Sequence, residues 1–168
     1  MSLPLLTPAD RDAVLVRDAD AETLGGAGNT LRLFADADTT GGAVSAHRVT
    51  LAPGADGAAP HHHTGAAELF FVLGGRLQAL TGERVVTADE GDFLLVPPWM
   101  PHAFAAEPGT EADVLIVLTP GIERFDYFRL LDRVRKGTAD PREILESQER
   151  FDNFFLESPA WQRARAPR

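Results

Sequence analysis

Short runs of apolar residues, separated by glycine, proline and aspartate turns, occupy most of the first 120 residues. Val, Ile, Leu and Phe dominate these runs, and turn residues recur at roughly the 8–12-residue spacing of all-β barrels and sandwiches. The segment before residue 12 contains Pro4 and Pro8 and is expected to be an irregular arm, and Gly25–Asn29 is expected to be a hairpin loop. The pattern predicts extended segments at residues 12–17, 31–35, 43–51, 68–73, 76–80, 84–88, 102–106 and 114–119.

After Pro120 the apolar positions change to helical spacing. One stripe recurs at every third residue and stops at Gly137, which is typical of a helix end; its members are Ile122, Phe125, Phe128, Leu131 and Val134. Asp140-Pro141 then begins a second predicted helix with an apolar stripe that runs as far as Phe155. We therefore expect residues 1–120 to form a barrel with an N-terminal arm, and residues 121–168 to form a helical extension packed on it, as one domain.

The run from Leu69 to Leu73 is apolar at every position. Because side chains in a strand alternate between faces, both faces of this strand need cover. The barrel interior covers one face, and either the C-terminal helices or a second subunit covers the other. We expect a homodimer.

Three of the five histidines are consecutive, at His61, His62 and His63. In an extended segment His61 and His63 point to one side and His62 to the other. The small residues 64–67 favour a turn that brings Glu68 back beside this pair. Two imidazoles and a carboxylate suit a divalent transition metal, and His102, after a Gly-Asp turn and a proline-rich corner, is the best candidate for a fourth ligand.

These segments resemble the two motifs of the cupin superfamily. The first motif, H-x-H-x(4)-E-x(6)-G, matches His61, His63, Glu68 and Gly75. The second, G-x(5)-P-x-G-x(2)-H, matches Gly91, Pro97 and His102. The resemblance implies an all-β, jelly-roll barrel in which His61, His63, Glu68 and His102 bind one divalent metal, with iron, manganese, nickel, cobalt, copper and zinc all open.

Two positions depart from the motifs. The glycine expected six residues before His61 is Ala55, with Gly54 one place early, and the glycine expected in the second motif is Trp99. Both departures concern turn geometry and not the ligands. Outside the ligand set, His62 is expected to be structural or to support a ligand, and His47 to be a packed or surface residue.

Composition narrows the classes of function. The chain of 168 residues has 44% hydrophobic and 24% charged residues, as is ordinary for a globular domain. It has no cysteine, so histidine and carboxylate are the strong metal ligands available. A net charge of −9 argues against nucleic acid as a partner, and the basic residues Arg163, Arg165 and Arg168 are expected to lie in a frayed, solvated tail.

The chain has no membrane-length apolar span and no signal-peptide pattern at its start, so we expect a cytoplasmic protein.

The C-terminal segments Glu123-Arg124-Phe125, residues 148–153 and residues 158–161 resemble those of single-domain bacterial quercetinases. This resemblance implies dioxygenation and ring opening of a flavonol or a similar enolisable aromatic substrate. It implies Glu68 as a ligand that also accepts the substrate proton. By strand alternation, Phe70, Val72 and Phe104 are expected to line an apolar substrate site. The alternatives are a metal-dependent isomerase, cyclase or decarboxylase of a polyketide-like aromatic, and a cupin that binds a small molecule without catalysis.

Overall fold

The computed structural model describes residues 12–167, which form ten β-strands followed and interrupted by four short helices. The strands are β1 Glu22–Gly26, β2 Asn29–Ala35, β3 Ser45–Leu51, β4 Asp56–His62, β5 Ala67–Thr81, β6 Arg84–Asp89, β7 Phe93–Val96, β8 His102–Ala106, β9 Ala112–Thr119 and β10 Phe154–Phe155. The helices are α1 Phe125–Arg135, α2 Arg142–Glu146, α3 Gln148–Phe151 and α4 Pro159–Arg165. The predicted all-β barrel with C-terminal helices is confirmed.

All strand pairings are antiparallel, and the strands run β1-β2-β3-β9-β5-β8-β4-β10, with β6 and β7 also paired to β5. The sheet curls so that one face lines a common interior. Alternate residues of β3, β5 and β9 fill that interior, including Leu51, Phe70 and Ile116, which are almost fully buried. The barrel core is therefore built from strands whose side chains alternate between buried and more exposed positions.

Strand β5 belongs to both halves of the barrel. Its first part pairs with β7 and β9, and its second part pairs with β6 and β8. The change of partner follows Gly74 and Gly75, where the register with β9 shifts. Gly75 has φ +70°, and a Cβ there would lie 2.0 Å from the Glu111 carbonyl oxygen, so only glycine fits. The predicted strands at 68–73 and 76–80 are thus one bent strand.

The C-terminal segment packs on two sides of the barrel. Helix α1 packs Tyr127, Phe128 and Leu130 against Leu33 of β2, and Phe151 joins the same cluster. Helix α4 places Trp161 against Leu80 and two alanines of β8. No helix among residues 12–167 is long and apolar enough to cross a membrane.

Three local predictions were wrong. Residues 13–17 form no strand, and the first strand lies further along, at Glu22–Gly26. The helix that begins after Asp140 does not continue to Phe155, because it breaks at Ser147 and ends at Asp152, which adopts a left-handed conformation (φ 48°). Arg165 is not a solvated tail residue, since it binds Asp56 and the carbonyl oxygens of Gly54 and Ala106. The predicted arm at residues 1–11 lies outside the described residues.

The outward face of β5 and β7 is apolar. Phe71 pairs with Phe93 and Leu69 with Leu95 across these strands, and both β7 side chains are more than half exposed. The described C-terminal helices pack against other parts of the barrel. Either the C-terminal helices or a second subunit could cover this face. Because the helices pack elsewhere, we expect a second subunit.

We expect the protein to be a dimer at micromolar concentration, with this face at the interface. Phe93→Glu should shift the sedimentation coefficient to that of a monomer, because it buries a charge in the apolar contact. The matched control is Leu145→Glu, which changes a side chain of similar exposure (57% against 59%) on α2. A wild-type protein that sediments as a monomer would rule out this interface.

Candidate metal centre and its cavity

Four buried side chains converge inside the barrel: His61, His63, Glu68 and His102. His61 is the last residue but one of β4 and lies directly opposite His102, the first residue of β8. His63 follows β4, and Glu68 lies near the start of β5. One donor atom from each lies within 4.8 Å of the others. The structure thus brings together all four residues predicted as ligands, and we call them the tetrad.

The histidines of the tetrad are oriented by backbone carbonyl groups. The Nδ1 atoms of His61, His63 and His102 lie 2.7, 2.5 and 2.9 Å from the carbonyl oxygens of Ala59, Asp152 and Met100. Because a carbonyl oxygen only accepts hydrogen bonds, each Nδ1 carries a proton, and Nε2 is the atom left to face the interior. This orientation is typical of histidines that bind a metal through Nε2.

The donor set fits a divalent transition metal. An ion that binds nitrogen and oxygen donors at about 2.0–2.2 Å separates two of them by at most about 4.4 Å. The donor atoms of the tetrad lie up to 4.8 Å apart. Small side-chain rotations are enough to shorten these separations to about 4.4 Å. Three neutral imidazoles and one carboxylate also suit such an ion and leave coordination positions for further ligands.

Glu68 is the negative charge at the centre of the tetrad. Its Oε2 lies 2.6 Å from Nε2 of His102 and 3.2 Å from Nε2 of His63, within hydrogen-bonding distance. Because Nδ1 is already protonated, a ring that donates from Nε2 in the absence of a metal is a cationic imidazolium. Burial by itself raises the pKa of the Glu68 carboxyl, but these bonds hold the pKa well below its usual value. Burial acts to lower the pKa of His102, but the hydrogen bond to Glu68 outweighs burial and raises the pKa. A carboxylate therefore persists in the barrel interior only because cationic or metal-binding partners surround it.

The C-terminal segment holds the loop that carries His63 and connects the strands of His61 and Glu68. The Asp152 carboxylate accepts hydrogen bonds from Thr64 N and Oγ1 and from Gly65 N, at 2.7–2.8 Å. The carbonyl of the same residue binds His63 Nδ1. Strand β10 then pairs with β4, with Phe155 opposite His61. One short segment thus fixes the ligand loop and extends the ligand strand.

His62 points away from the tetrad. Its ring stacks on Trp99 at 5.6 Å and on Phe154 at 5.4 Å. Trp99 has φ 70°, so the position retains the left-handed conformation that a glycine would adopt there. Gly54 likewise adopts φ +70°, one place before the expected position. Both motif departures therefore preserve the turns.

A cavity of about 370 Å³ opens onto the tetrad. His61 and Glu68 form one part of its wall, and Phe104 of the predicted substrate residues lies on it. Phe70 and Val72 lie in the closed core, each 1% exposed, and Phe70 packs against Phe104 with ring centroids 5.5 Å apart. Most of the lining is apolar and comes from β2, β3, β4 and α1.

Several polar residues of the cavity wall were not predicted as site residues, among them His47, Arg124 and Asn153. His47 was predicted to be packed or exposed; it is 3% exposed and lies on the wall. Strand alternation places it inward with Val49, so that signal was present. Arg124 and Asn153 reach the wall through contacts between distant parts of the chain, which no local pattern indicates.

Comparison with known proteins agrees with this geometry. Residues 47–118 match the sequence model of the Cupin domain family. The barrel has the cupin fold. No curated protein matches the chain significantly in sequence.

Solved structures with the same fold come from several enzymes. The nucleoside dehydratase Pac13 from Streptomyces is 14% identical (TM-score 0.53), with 65% of this chain and 83% of that chain covered. The polyketide cyclase RemF from Streptomyces resistomycificus is 20% identical (TM-score 0.52; 63% and 78% covered). A predicted oxalate decarboxylase from Thermotoga maritima is 21% identical (TM-score 0.54; 62% and 97% covered). These similarities establish the cupin fold, and the finer resemblance to quercetinases stays a prediction.

The first test of the candidate metal centre compares adjacent histidines. His63→Ala should lower metal affinity by about 100-fold or more, because it removes a donor atom. His62→Ala should retain the metal, since its ring stacks outside the tetrad. Elemental analysis after dialysis measures both. Loss of metal from the His62 variant with retention in the His63 variant would refute the assignment.

The second test concerns Asp152 as a residue that positions His63 and its loop. Asp152→Asn tolerates the left-handed conformation but removes the charge that holds Thr64 and Gly65. We expect metal affinity to fall about tenfold, the lower end of the effect of such supporting residues. Competition with a metal indicator measures the affinity. Asp140→Asn, which alters an exposed carboxylate before α2, is the control, and equal affinities in the two variants would argue against this role.

Proposed function

We propose that this cupin is a metal-dependent enzyme that acts on an enolisable aromatic molecule, with ring-opening dioxygenation of a flavonol as its reaction. The observation that carries the proposal is the junction of a buried three-histidine, one-glutamate tetrad with a largely apolar cavity. The cavity volume, about 370 Å³, lies within the range of small-molecule sites. A flat, ring-bearing molecule suits such walls.

His61, His63, Glu68 and His102 would hold the metal. When bound, a divalent metal supplies Lewis-acid charge that lowers the pKa of a substrate hydroxyl, and open positions for substrate and dioxygen. Cavity residues such as Phe104 orient the ring, and the surrounding barrel excludes bulk water from the reacting oxygen atoms. In the proposed reaction both atoms of dioxygen enter the product as the ring opens.

Glu68 is proposed to accept the proton of the substrate hydroxyl. It lies on the wall of the cavity, where a ligand bound beside the tetrad can reach its carboxylate. A carboxylate bound to a divalent cation is a weak base, so Glu68 accepts a proton efficiently only from a hydroxyl that is itself acidified. Acidification and proton acceptance are therefore coupled at one site.

A second candidate is non-oxidative chemistry on a similar substrate, such as cyclisation, isomerisation or decarboxylation. The observation that favours it is the group of hydrogen-bond donors, Arg124 and Asn153, on the cavity wall, since such donors stabilise an enolate without oxidation. Named neighbours of the same fold include a polyketide cyclase and a nucleoside dehydratase. Oxygen consumption separates the two candidates.

Glu68→Gln tests the proposed reaction, because it keeps the shape and an oxygen donor but removes the basicity. We expect this variant to retain much of its metal, still to bind a flavonol such as quercetin, and to lose oxygen uptake by about 100-fold or more. An oxygen electrode measures the rate, and Glu90→Gln, which alters an exposed carboxylate, is the control. Metal-loaded wild-type protein that consumes no oxygen with any flavonol would reject the dioxygenase and favour the second candidate.

A further inference from the structure

Three buried side-chain atoms among residues 12–167 have no hydrogen-bond partner: Asn29 Oδ1, His47 Nδ1 and Asn153 Nδ2. All three residues line the cavity that reaches the tetrad. Buried polar atoms are nearly always paired in folded proteins, so each exception calls for an explanation. Their clustering on one cavity wall indicates that a bound molecule supplies the missing partners.

Arg124 is a buried cation on the same wall, 3% exposed. Its guanidinium donates hydrogen bonds to the carbonyl oxygens of Glu123 and Phe151 and, at 3.4 Å, to Asn153 Oδ1. Within the described part of the chain it forms no ion pair with a carboxylate. The charge is thus held by neutral oxygen atoms and by the ring of Tyr127, 4.7 Å away. A buried charge of this kind attracts an anion.

The backbone fixes the position of this cation. Asp36, at the end of β2, accepts hydrogen bonds from the backbone N–H groups of Arg124 and Phe125, at 2.7 and 3.1 Å. This carboxylate caps the start of α1, and it is occupied by the backbone rather than by the guanidinium. Arg124 is therefore held in place without a direct ion pair to a carboxylate, although the carboxylates of Glu68, Asp152 and Asp36 act on its charge at longer range.

The amide of Asn153 complements Arg124. Because a guanidinium only donates, the Asn153 oxygen faces it, and the two N–H groups of Nδ2 are the ones that remain unpartnered. His47 adds a neutral ring, since burial lowers its pKa to about 4, and the tautomer with a proton on Nδ1 can also donate. The wall thus presents a charged donor and one or two neutral donors to the same cavity.

We propose that these residues form a recognition site for an acidic oxygen group, a carboxylate or an ionised phenol, on an otherwise apolar, ring-bearing ligand. The inference rests on the proposed function for the role of the cavity but names a different part of it: Arg124 and Asn153 receive the acidic group, and the tetrad serves another oxygen of the ligand. The substrate class is then aromatic molecules with an acidic group in addition to the reacting oxygen.

Binding of matched naphthalene compounds to the zinc-loaded protein tests this assignment without turnover. The probes are 2-naphthoate, 2-naphthol and the neutral 2-naphthamide, measured by isothermal titration calorimetry. We expect 2-naphthoate or 2-naphthol to bind at least about tenfold more tightly than 2-naphthamide, as for a buried hydrogen bond to a charged group. The preferred probe identifies the acidic group as carboxylate or phenol.

Asn153→Asp is the decisive variant, because an aspartate keeps the size and the acceptor for Arg124 but neutralises the cation and removes the free donor. The Asn153→Asp variant should lose the preference for the acidic probe, and its affinity for 2-naphthamide should stay within about threefold of the wild-type value. Gln162→Glu adds the same charge on the surface of α4 and should retain the preference. Arg124→Gln provides a second variant, and thermal unfolding checks that each protein is folded.

Equal affinity of all three probes for wild-type protein would overturn the proposal. A preference that survives in both Asn153→Asp and Arg124→Gln but disappears when zinc is removed would also overturn it, because the acidic group would then bind the metal. Oxygen uptake does not enter this experiment. Failure of the dioxygenase proposal and failure of this one are therefore distinguishable.

Discussion

A buried carboxylate is the constraint on which the interior of this barrel depends. Glu68 lies on the wall of the cavity inside the barrel and is only 5% exposed, so an isolated negative charge there would be strongly destabilising. It is tolerated because the Nε2 atoms of His63 and His102 reach its Oε2. Each imidazole is in turn oriented by a backbone carbonyl. The positions of β4, β5 and β8 relative to one another are therefore set by the needs of a charged centre as well as by apolar packing.

The C-terminal segment is part of this centre rather than a cover for the barrel. Asp152 binds the ligand loop through both its carboxylate and its carbonyl, and Phe155 pairs with the strand of His61. The same segment contributes Arg124 and Asn153 to the cavity wall. A change in the tail thus reaches both the tetrad and the ligand site, and divergence of the tail offers a way to change specificity while the barrel is retained.

The parts of the site that could be predicted from the sequence are those set by local geometry. Strand alternation separates His62 from His61 and His63, and the turn residues that follow place Glu68 nearby. The opposition of His61 and His102 required the resemblance to a known motif, because it depends on a pairing between strands 41 residues apart. Strand alternation and turn preferences describe neighbouring residues and do not indicate such a pairing. Only the family motif indicated it.

Two of the three failed predictions involve the tail, for a physical reason. An apolar stripe from Ile144 to Phe155 is compatible with one helix. The helix instead ends at Asp152, whose side chain binds Thr64. Those hydrogen bonds, 88 residues apart in sequence, offset the cost of a left-handed backbone. Arg124 likewise becomes a cavity residue because Asp36 holds the start of α1. In both cases a tertiary contact overrides the local preference, and the contact serves the site.

The polarity of the cavity separates this site from a purely structural one. If only stability mattered, apolar side chains would fill the space beside Phe104. Buried polar atoms without hydrogen-bond partners, and a buried cation without an ion-pair partner, both lower the free energy of unfolding. Here Asn153, His47 and Arg124 occupy the wall instead, beside a charged tetrad. Groups that are unfavourable in the free protein become favourable only with a ligand of matching charge. The unpaired polar atoms and the buried cation are therefore concentrated where a bound ligand can pair with them. Ligands that lack a matching acidic group leave these atoms unpaired and bind more weakly, which makes the site selective.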